Sequence, residues 1–385
     1  MSESKHLIAC HLSMLRLSTA QVLQESTVAM NAQGLGELGR RGDVSAPLEV
    51  GNCRLGNRVL LAPMSGVSDV PFRRLARRFG AGLVVSEMVA SGEYLKGAGE
   101  STLRALRDGH GIHAVQLAGR DPQAMGEAAR RLAASGADIV DINFGCPAKK
   151  VVGGLSGSAL MREPELALAI IEAVVAGAGH VPVTVKMRLG WDRSSMNAAW
   201  LASRAEAAGA QMVTVHGRTR MDFYDGTADW RAIAAVRRAI TVPLVANGDL
   251  VASDRLPEML RQSGADAVMV GRGAYGRPWL PGLMAGAIAL TDLCRVDFGD
   301  FVAGHYEAML AHYGLPTGIR HARKHLGWYL DRHAATGAVV PPAERRAIMT
   351  GTDPNDVRKR LSLRFAGTTL AEIETAAIAP MAEAA

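Results

Sequence analysis

From Leu48 onward the chain alternates short runs that are apolar at nearly every position with longer stretches whose apolar residues recur every three or four positions. Short, apolar, β-branched runs bounded by turn residues read as buried strands, and the 3.6-residue period reads as amphipathic helix. The pattern predicts strands over Val59–Ala62, Leu83–Ser86, His113–Leu117, Ile139–Asn143, Val183–Lys186, Met212–His216, Leu244–Asn247 and Ala267–Val270. Helices are predicted between them, over Val70–Phe79, Pro122–Ser135, Glu163–Ala176, Ala198–Ala208, Asp229–Ala239 and Asp254–Ser263. Several close on a glycine (Gly80, Gly136, Gly209, Gly264), the residue that accepts the left-handed conformation past a helix end. Strands apolar on both faces and alternating with helices imply a parallel sheet covered by helices. Eight such units over about 220 residues predict a (β/α)8 TIM barrel. An open doubly wound sheet is the alternative, but no GxGxxG follows the first strand.

The rhythm stops after Gly273, and helical patterns run from about Phe298. The predicted organisation is a disordered extension over residues 1–47, a barrel domain over 48–297, a small all-helical domain over 298–366 and an Ala-rich tail over 367–385. The first segment shows no sustained periodicity and lacks the long apolar centre and cleavage site of a secretory signal. Its alternative origin is a start site set too early, with Met30 as an internal candidate.

Composition narrows the class. At 385 residues and 48% hydrophobic, the chain has the make-up of a globular protein, and no apolar run is long enough to span a bilayer. Cys10, Cys53, Cys146 and Cys294 lie far apart with no CxxC or Cys/His metal spacing, which predicts a reduced, cytoplasmic protein without disulfides or structural zinc. A net charge of +6 permits a polyanionic partner without requiring one.

Polar residues lie at the end of every predicted strand. Pro63-Met64-Ser65-Gly66 follow the first and Ser86-Glu87-Met88 the second; Gln116 lies in the third, and Asn143 leads to Cys146 after the fourth. The fifth ends in Lys186-Met187-Arg188 and the sixth in His216-Gly217-Arg218-Thr219-Arg220. Asn247-Gly248-Asp249 and Gly271-Arg272-Gly273 follow the last two. In a parallel barrel all of these meet on one rim, where active sites form. Cys146 sits on a Gly/Pro loop beside Lys149 and Lys150, which favours a reactive thiol over an inert buried one.

The last two loops occupy the usual phosphate position of a barrel. Their glycines let backbone N–H groups approach an anion, and Arg272 offers a guanidinium fork. Asp249 is assigned its backbone N–H, because its carboxylate would repel phosphate. Ordinary glycine turns are the plain alternative. Lys186 can stabilise developing anionic charge or form a Schiff base. His216 offers a donor, with a core histidine as the alternative. Gln116 and Asn143 supply amides able to read a heterocycle's edge. Together these groups suit flavin mononucleotide (FMN) across the barrel mouth, with the thiol as proton donor in the reduction of an activated carbon–carbon double bond.

At this point a resemblance enters. Leu61-Ala62-Pro63-Met64-Ser65-Gly66-Val67-Ser68-Asp69-Val70-Pro71-Phe72-Arg73, Asn143-Phe144-Gly145-Cys146-Pro147, Val185-Lys186-Met187-Arg188, His216-Gly217-Arg218-Thr219 and Asn247-Gly248-Asp249 together resemble the tRNA-dihydrouridine synthases. Ala148-Lys149-Lys150-Val151 and Arg323-Lys324-His325 point to the bacterial B-type subfamily. The resemblance runs from about Leu48 to Arg364 and shows no departure at these positions. It implies an FMN enzyme that reduces uridines of the tRNA D-loop to 5,6-dihydrouridine with NADPH or NADH. Cys146 would then protonate uracil C5. Pro63, Met64, Ser65, Gln116, Lys186 and His216 would hold the flavin ring, with Asn143 orienting the flavin or the uracil. Asn247, Gly248, Asp249, Gly271 and Arg272 would hold the phosphate end. Lys149, Lys150, Arg188 and Arg218 would contact substrate.

Ile319–His333 interleaves Arg320, His321, Arg323, Lys324, His325 and Arg332 with Trp328 and Tyr329, and Arg345-Arg346 and Arg358-Lys359-Arg360 follow. Such a mixture can contact phosphates and stack on bases. A single charge run is ordinarily a solvated helix face. Three runs in one small domain favour RNA, with Arg323 and Lys324 as tRNA contacts. No protein partner can be inferred, and a monomer is expected. The competing classes are an FMN barrel for a small pyrimidine, such as a dihydroorotate dehydrogenase, and a flavin-free RNA-binding barrel.

Overall fold

The structure is a computed structural model, and it describes residues 42–97, 99–148, 151, 153 and 155–376. Of the expected extension, residues 1–41 lie outside this range.

A two-stranded antiparallel hairpin opens the described chain, β1 (Leu48–Val50) against β2 (Cys53–Leu55). The main sheet follows: β3 (Val59–Leu61), β4 (Leu83–Val84), β5 (Val89–Ala90), β6 (Ala114–Ala118), β7 (Ile139–Phe144), β8 (Val183–Arg188), β9 (Met212–His216), β10 (Leu244–Asn247) and β11 (Ala267–Val270). Every pairing in it is parallel, in the order β4-β3-β11-β10-β9-β8-β7-β6-β5. A parallel bridge between Val85 and Ala114 joins the two ends, so β4 and β5 are halves of one interrupted strand and the sheet closes as a (β/α)8 barrel. The interruption has a local cause. The Ser86 hydroxyl accepts the Gln116 backbone N–H (3.0 Å) and donates to the Glu87 carbonyl (2.8 Å), replacing a ladder bond with a side-chain bond.

The predicted strands and helices reappear within a few residues of their expected limits. The helices start on side-chain caps from Asp69, Asp121 and Asp229. Gly80, Gly136, Gly209 and Gly264 have φ of 90°, 86°, 105° and 65°, which Ala would resist. The β1–β2 hairpin has no counterpart in the predicted elements, because three-residue strands are too short to show alternation. Leu48, Val50 and Leu55 join Leu60, Leu83, Ala114, Ile139, Met212, Val245 and Ala267 in one apolar cluster, so the hairpin plugs the end of the barrel opposite the rim.

Of the described residues, those from 42 to 274, with Pro278–Ala287, form one compact unit; Tyr275–Arg277 and residues 288 to 376 form a second. The second unit contains helices Leu290–Leu293, Phe298–Tyr313, Leu315–Ala335, Pro342–Thr350, Pro354–Phe365 and Leu370–Thr375. Past residue 367, Thr369 and Glu372 form a capping box, and Leu370, Ala371 and Ile373 are buried. Phe298 lies at the centre of this unit, with ring centroids 4.7 Å from Phe365 and 5.7 Å from Tyr329.

Cys53 and Cys146 are free thiols. Among the described residues, no helix is long and apolar enough to cross a membrane.

Candidate active site

Parallel register carries the predicted residues to one end of the barrel. Gln116 lies opposite Asp141 in the β6–β7 pair, and Asn143 opposite Lys186 in β7–β8. Arg188 lies opposite His216 in β8–β9, and His216 opposite Asn247 in β9–β10.

The thiol loop leaves β7 under the control of Asn143. Its Oδ1 accepts the backbone N–H of Gly145 (3.1 Å) and of Cys146 (2.9 Å), which turns the chain at once. The Cys146 carbonyl accepts from the backbone and hydroxyl of Ser158 at 3.1 and 2.8 Å. Gly157, at φ 61°, is required beside it, because a Cβ there would lie 2.9 Å from that carbonyl. Burial pushes the Cys146 thiol upward in pKa, against weaker opposing pulls from Arg188 and Lys186. The group is thus a protonated acid at neutral pH, unlike a pre-ionised nucleophile. Lys149 and Lys150 lie outside the described residues.

Gln116 and Asn143 are linked as one unit: Asn143 Nδ2 donates to Gln116 Oε1 (2.8 Å), and Gln116 Nε2 donates to Asp141 Oδ2 (2.6 Å). Lys186, 9% exposed, donates through Nζ to Asn247 Oδ1 (3.1 Å), and Asn247 Nδ2 donates to the Met269 carbonyl (2.8 Å). Burial, then repulsion from Arg188, pulls Lys186 down to about 8, so it stays largely cationic at pH 7.

Pro63, Met64 and Ser65 line the loop after β3, the first two half-buried and the last exposed. The Met64 backbone N–H donates to the Ser68 hydroxyl (2.7 Å), and the Gly66 N–H donates to Glu87 Oε1. Glu87 is 2% exposed and faces Arg104 at 3.7 Å, so this carboxylate anchors the loop.

At the phosphate end Gly248 has φ 119°, and a Cβ would lie 2.8 Å from both Ala228 Cβ and His216 Cδ2. A Cβ on Gly273 would lie 2.5 Å from the Leu250 carbonyl. Gly271 opens the second loop, with room for a Cβ at 3.9 Å from Ala62. Asp249, at φ 55°, turns its carboxylate onto Arg218 in a bidentate pair of 2.8 Å bonds, with Arg272 at 3.4 Å. His216 is kept neutral, first by burial and then by repulsion from Arg188 and Lys186.

Two arginines expected at the substrate are placed differently. Arg218, 1% exposed, also donates to the carbonyls of Asp225 (3.0 Å) and Gly226 (2.6 Å). Arg188, 1% exposed, donates to the carbonyls of Gly145 (2.9 Å), Thr219 (2.6 Å) and Phe223 (2.8 Å). Both brace rim loops, because buried guanidiniums must satisfy their donors on nearby carbonyls. The sequence reading gave no role to Asp141, Thr184 or Glu87; the polar Asp within an otherwise apolar strand was the available signal.

In the helical unit the basic–aromatic stripe divides by burial. Trp328, Tyr329, His325 and Arg332 are buried, so they stabilise the unit and do not offer stacking surfaces to RNA. Arg320, Arg346 and Lys359 are exposed, and Arg323 and Lys324 are half-buried. Arg345, Arg358 and Arg360 pair with Asp331, Glu307 and Asp356 at 2.7, 3.4 and 2.7 Å.

A closed parallel barrel whose C-terminal rim gathers a thiol, a buried ammonium group, linked amides and glycine-rich loops has the architecture of a barrel enzyme. A family-wide sequence profile described as dihydrouridine synthase (Dus) matches residues 60–364. The chain belongs to the dihydrouridine synthase family. It is 58% identical over 305 residues to a probable tRNA-dihydrouridine synthase from Rhizobium leguminosarum bv. phaseoli, covering 79% of this chain and 94% of that one. It is 42% identical over 334 residues to tRNA-dihydrouridine synthase B from Xanthomonas axonopodis pv. citri, covering 86% and 98%. Among solved structures, the 6-hydroxypseudooxynicotine amine oxidase of Pseudomonas geniculata N1 aligns with a TM-score of 0.52 at 14% identity, covering 70% of this chain and 53% of that chain. That likeness shows the fold alone.

Proposed function

We propose that this chain is a B-type tRNA-dihydrouridine synthase that reduces D-loop uridines to 5,6-dihydrouridine, with FMN as cofactor and NADPH or NADH as reductant. The observation that carries the reading is the place of the Cys146 thiol, its loop held through the backbone on the rim that also presents Lys186, in a chain matched by the dihydrouridine synthase profile over residues 60–364.

The residues present fit FMN. Lys186 is a buried cation hydrogen-bonded to a neutral amide, so an electron-rich ring beside it would offset its desolvation. Gly271 has room at its Cβ position, where a phosphate could approach the backbone, while Gly248 and Gly273 let the neighbouring loops pack closely. Pro63, Met64, Ser65, Gln116, Asn143, Lys186 and His216 would hold the ring, and Asn247, Gly248, Asp249, Gly271 and Arg272 the ribityl phosphate. Asp249 would act through its backbone, since its carboxylate serves Arg218.

FMN held there, once reduced by NADPH or NADH, would provide hydride chemistry at uracil C6. Cys146 would deliver the accompanying proton to C5, and the resulting thiolate would recover a proton from solvent. Lys186 would stabilise negative charge developing on the ring oxygens. The target base has to leave its stack to reach a rim pocket. Arg323 and Lys324 on helix Leu315–Ala335, and Lys149 and Lys150 beyond the thiol, would contact tRNA phosphates. The same reading makes the protein a cytoplasmic monomer.

Cys146→Ala removes the acid and leaves the cofactor contacts. Flavin content and NADPH oxidation by oxygen should persist, while dihydrouridine formation falls about 10²–10⁴-fold. Undiminished formation would overturn the role of Cys146.

A further inference from the structure

Under the rim, Asp141 points inward from β7 and is 4% exposed. Its Oδ1 accepts from the Thr184 hydroxyl at 2.5 Å and its Oδ2 from Gln116 Nε2 at 2.6 Å. Gln116 Oε1 then accepts from Asn143 Nδ2 at 2.8 Å, and Asn143 Oδ1 accepts from the backbone of Gly145 and Cys146 at 3.1 and 2.9 Å. Every donor in this chain points towards Asp141. An ionised carboxylate can only accept, whereas an amide can present either end. Asp141 therefore fixes the direction of the series from its buried end, as the donor-only backbone N–H groups of Gly145 and Cys146 do from the other.

We propose that Asp141 is a positioning residue: it sets the orientation of Gln116 and Asn143, and through them the loop that carries Cys146. Two consequences follow from the geometry. First, Asn143 Oδ1 already accepts two bonds and Gln116 Oε1 one, and each amide nitrogen keeps one N–H free of this series to offer a ligand at the barrel mouth. The pair is set to meet carbonyl oxygens, such as those of a flavin or uracil ring. Second, an amide at position 141 could donate to Gln116 Oε1 and reverse Gln116. Gln116 would then offer its NH2 to Asn143 and reverse that residue too. Asn143 would turn its NH2 towards the N–H groups of Gly145 and Cys146, and the turn holding the thiol would lose its acceptor. Thr184 anchors the other carboxylate oxygen, which keeps Asp141 from rotating away.

The inference deepens the proposed role of Cys146 and rests on it for its effect on the reaction, but the orientation itself can be read without turnover. In purified holoenzyme, the alkylation rate of Cys146 by N-ethylmaleimide, followed by peptide mass spectrometry, reports how its loop is held. D141N should change that rate at least threefold in enzyme reconstituted to full flavin occupancy, and it should also weaken flavin binding, because the reversed Gln116 and Asn143 amides belong to the ring contacts. Reoxidation of the reduced enzyme by tRNA should slow more than tenfold. The double variant D141N/Q116E restores an acceptor-only carboxylate one step along the series, so it should return the alkylation rate to within twofold of wild type. Q116M, which cuts the series without reversing a charge, should alter alkylation as D141N does, and it supplies the test if D141N does not fold. Unchanged alkylation in D141N or Q116M, or failure of D141N/Q116E to restore it, would overturn the proposal. If alkylation moves as expected while tRNA reoxidation does not, Asp141 positions the thiol and the proton-donor role of Cys146 is what fails.

Discussion

The barrel and the helical unit put buried polar and aromatic side chains to different uses. Under the barrel rim, Asp141, Gln116 and Asn143 hand hydrogen bonds from one to the next and fix the Cys146 loop, while Lys186 and Asn247 form a second bonded pair. In the helical unit, Phe298, Phe301, Tyr329, Phe365 and His333 pack ring against ring, and His305 joins them through a 2.8 Å contact with the Tyr329 hydroxyl. The first arrangement positions atoms for chemistry, while the second builds a body whose useful groups are the charges on its outside. A polar residue buried in a strand among directional partners points to a site; an aromatic residue buried in a helix points to a core.

Breaking the rim should cost most. Lys186→Ala removes the buried cation and leaves Asn247 without its donor. The comparison predicts a loss in dihydrouridine formation of about 10²–10³-fold, measured as kcat/KM with tRNA. Activity within threefold of wild type would mean that the ammonium group does not act on the reacting ring.

The helical unit should respond to acid. Burial lowers His305 to about 3 and holds His325 well below its usual value, with repulsion among His305, His321 and Lys324 adding to the shift at His325. Both are neutral in the fold and bind protons more readily when unfolded. Their stability contribution is therefore intact above the unfolded value of about 6.5 and declines as pH falls below it, by about 1.4 kcal/mol per pH unit for each ring. Urea midpoints read by Tyr and Trp near-ultraviolet dichroism at pH 7.5 and 5.5 would show the decline. It should shrink in a variant carrying His305→Phe and His325→Phe, and an undiminished decline would place the acid sensitivity elsewhere.

The smallest effect is expected on the surface of the helical unit. Arg323→Glu with Lys324→Glu should weaken tRNA binding about tenfold at low salt and make the salt dependence shallower by about two phosphate contacts. Flavin content should not change. Equal affinity at low salt would remove these residues from the RNA surface.

How much of this was legible in the sequence differs between the same two regions. Strand ends are read in register, so topology brings together residues such as Asn143, Lys186 and Asn247 that are far apart in the chain. Only their partners were hidden: nothing in the spacing shows that Gln116 and Asn143 bond each other, or that Arg188 and Arg218 turn inward onto loop carbonyls. A helical stripe carries no such guarantee. Trp328 and Tyr329 share a helix with Arg320 and Lys324, and tertiary packing alone decides which of them face outward. The β1–β2 hairpin was invisible because three-residue strands carry no period.

The central claim is most directly tested by mass spectrometry of D-loop fragments from unmodified tRNA, after incubation with the purified protein and NADPH. The account predicts a gain of two hydrogens on a D-loop uridine, dependent on the reductant and lost in Cys146→Ala. No gain from flavin-loaded protein that oxidises NADPH would contradict it and favour a small pyrimidine as the substrate of this rim.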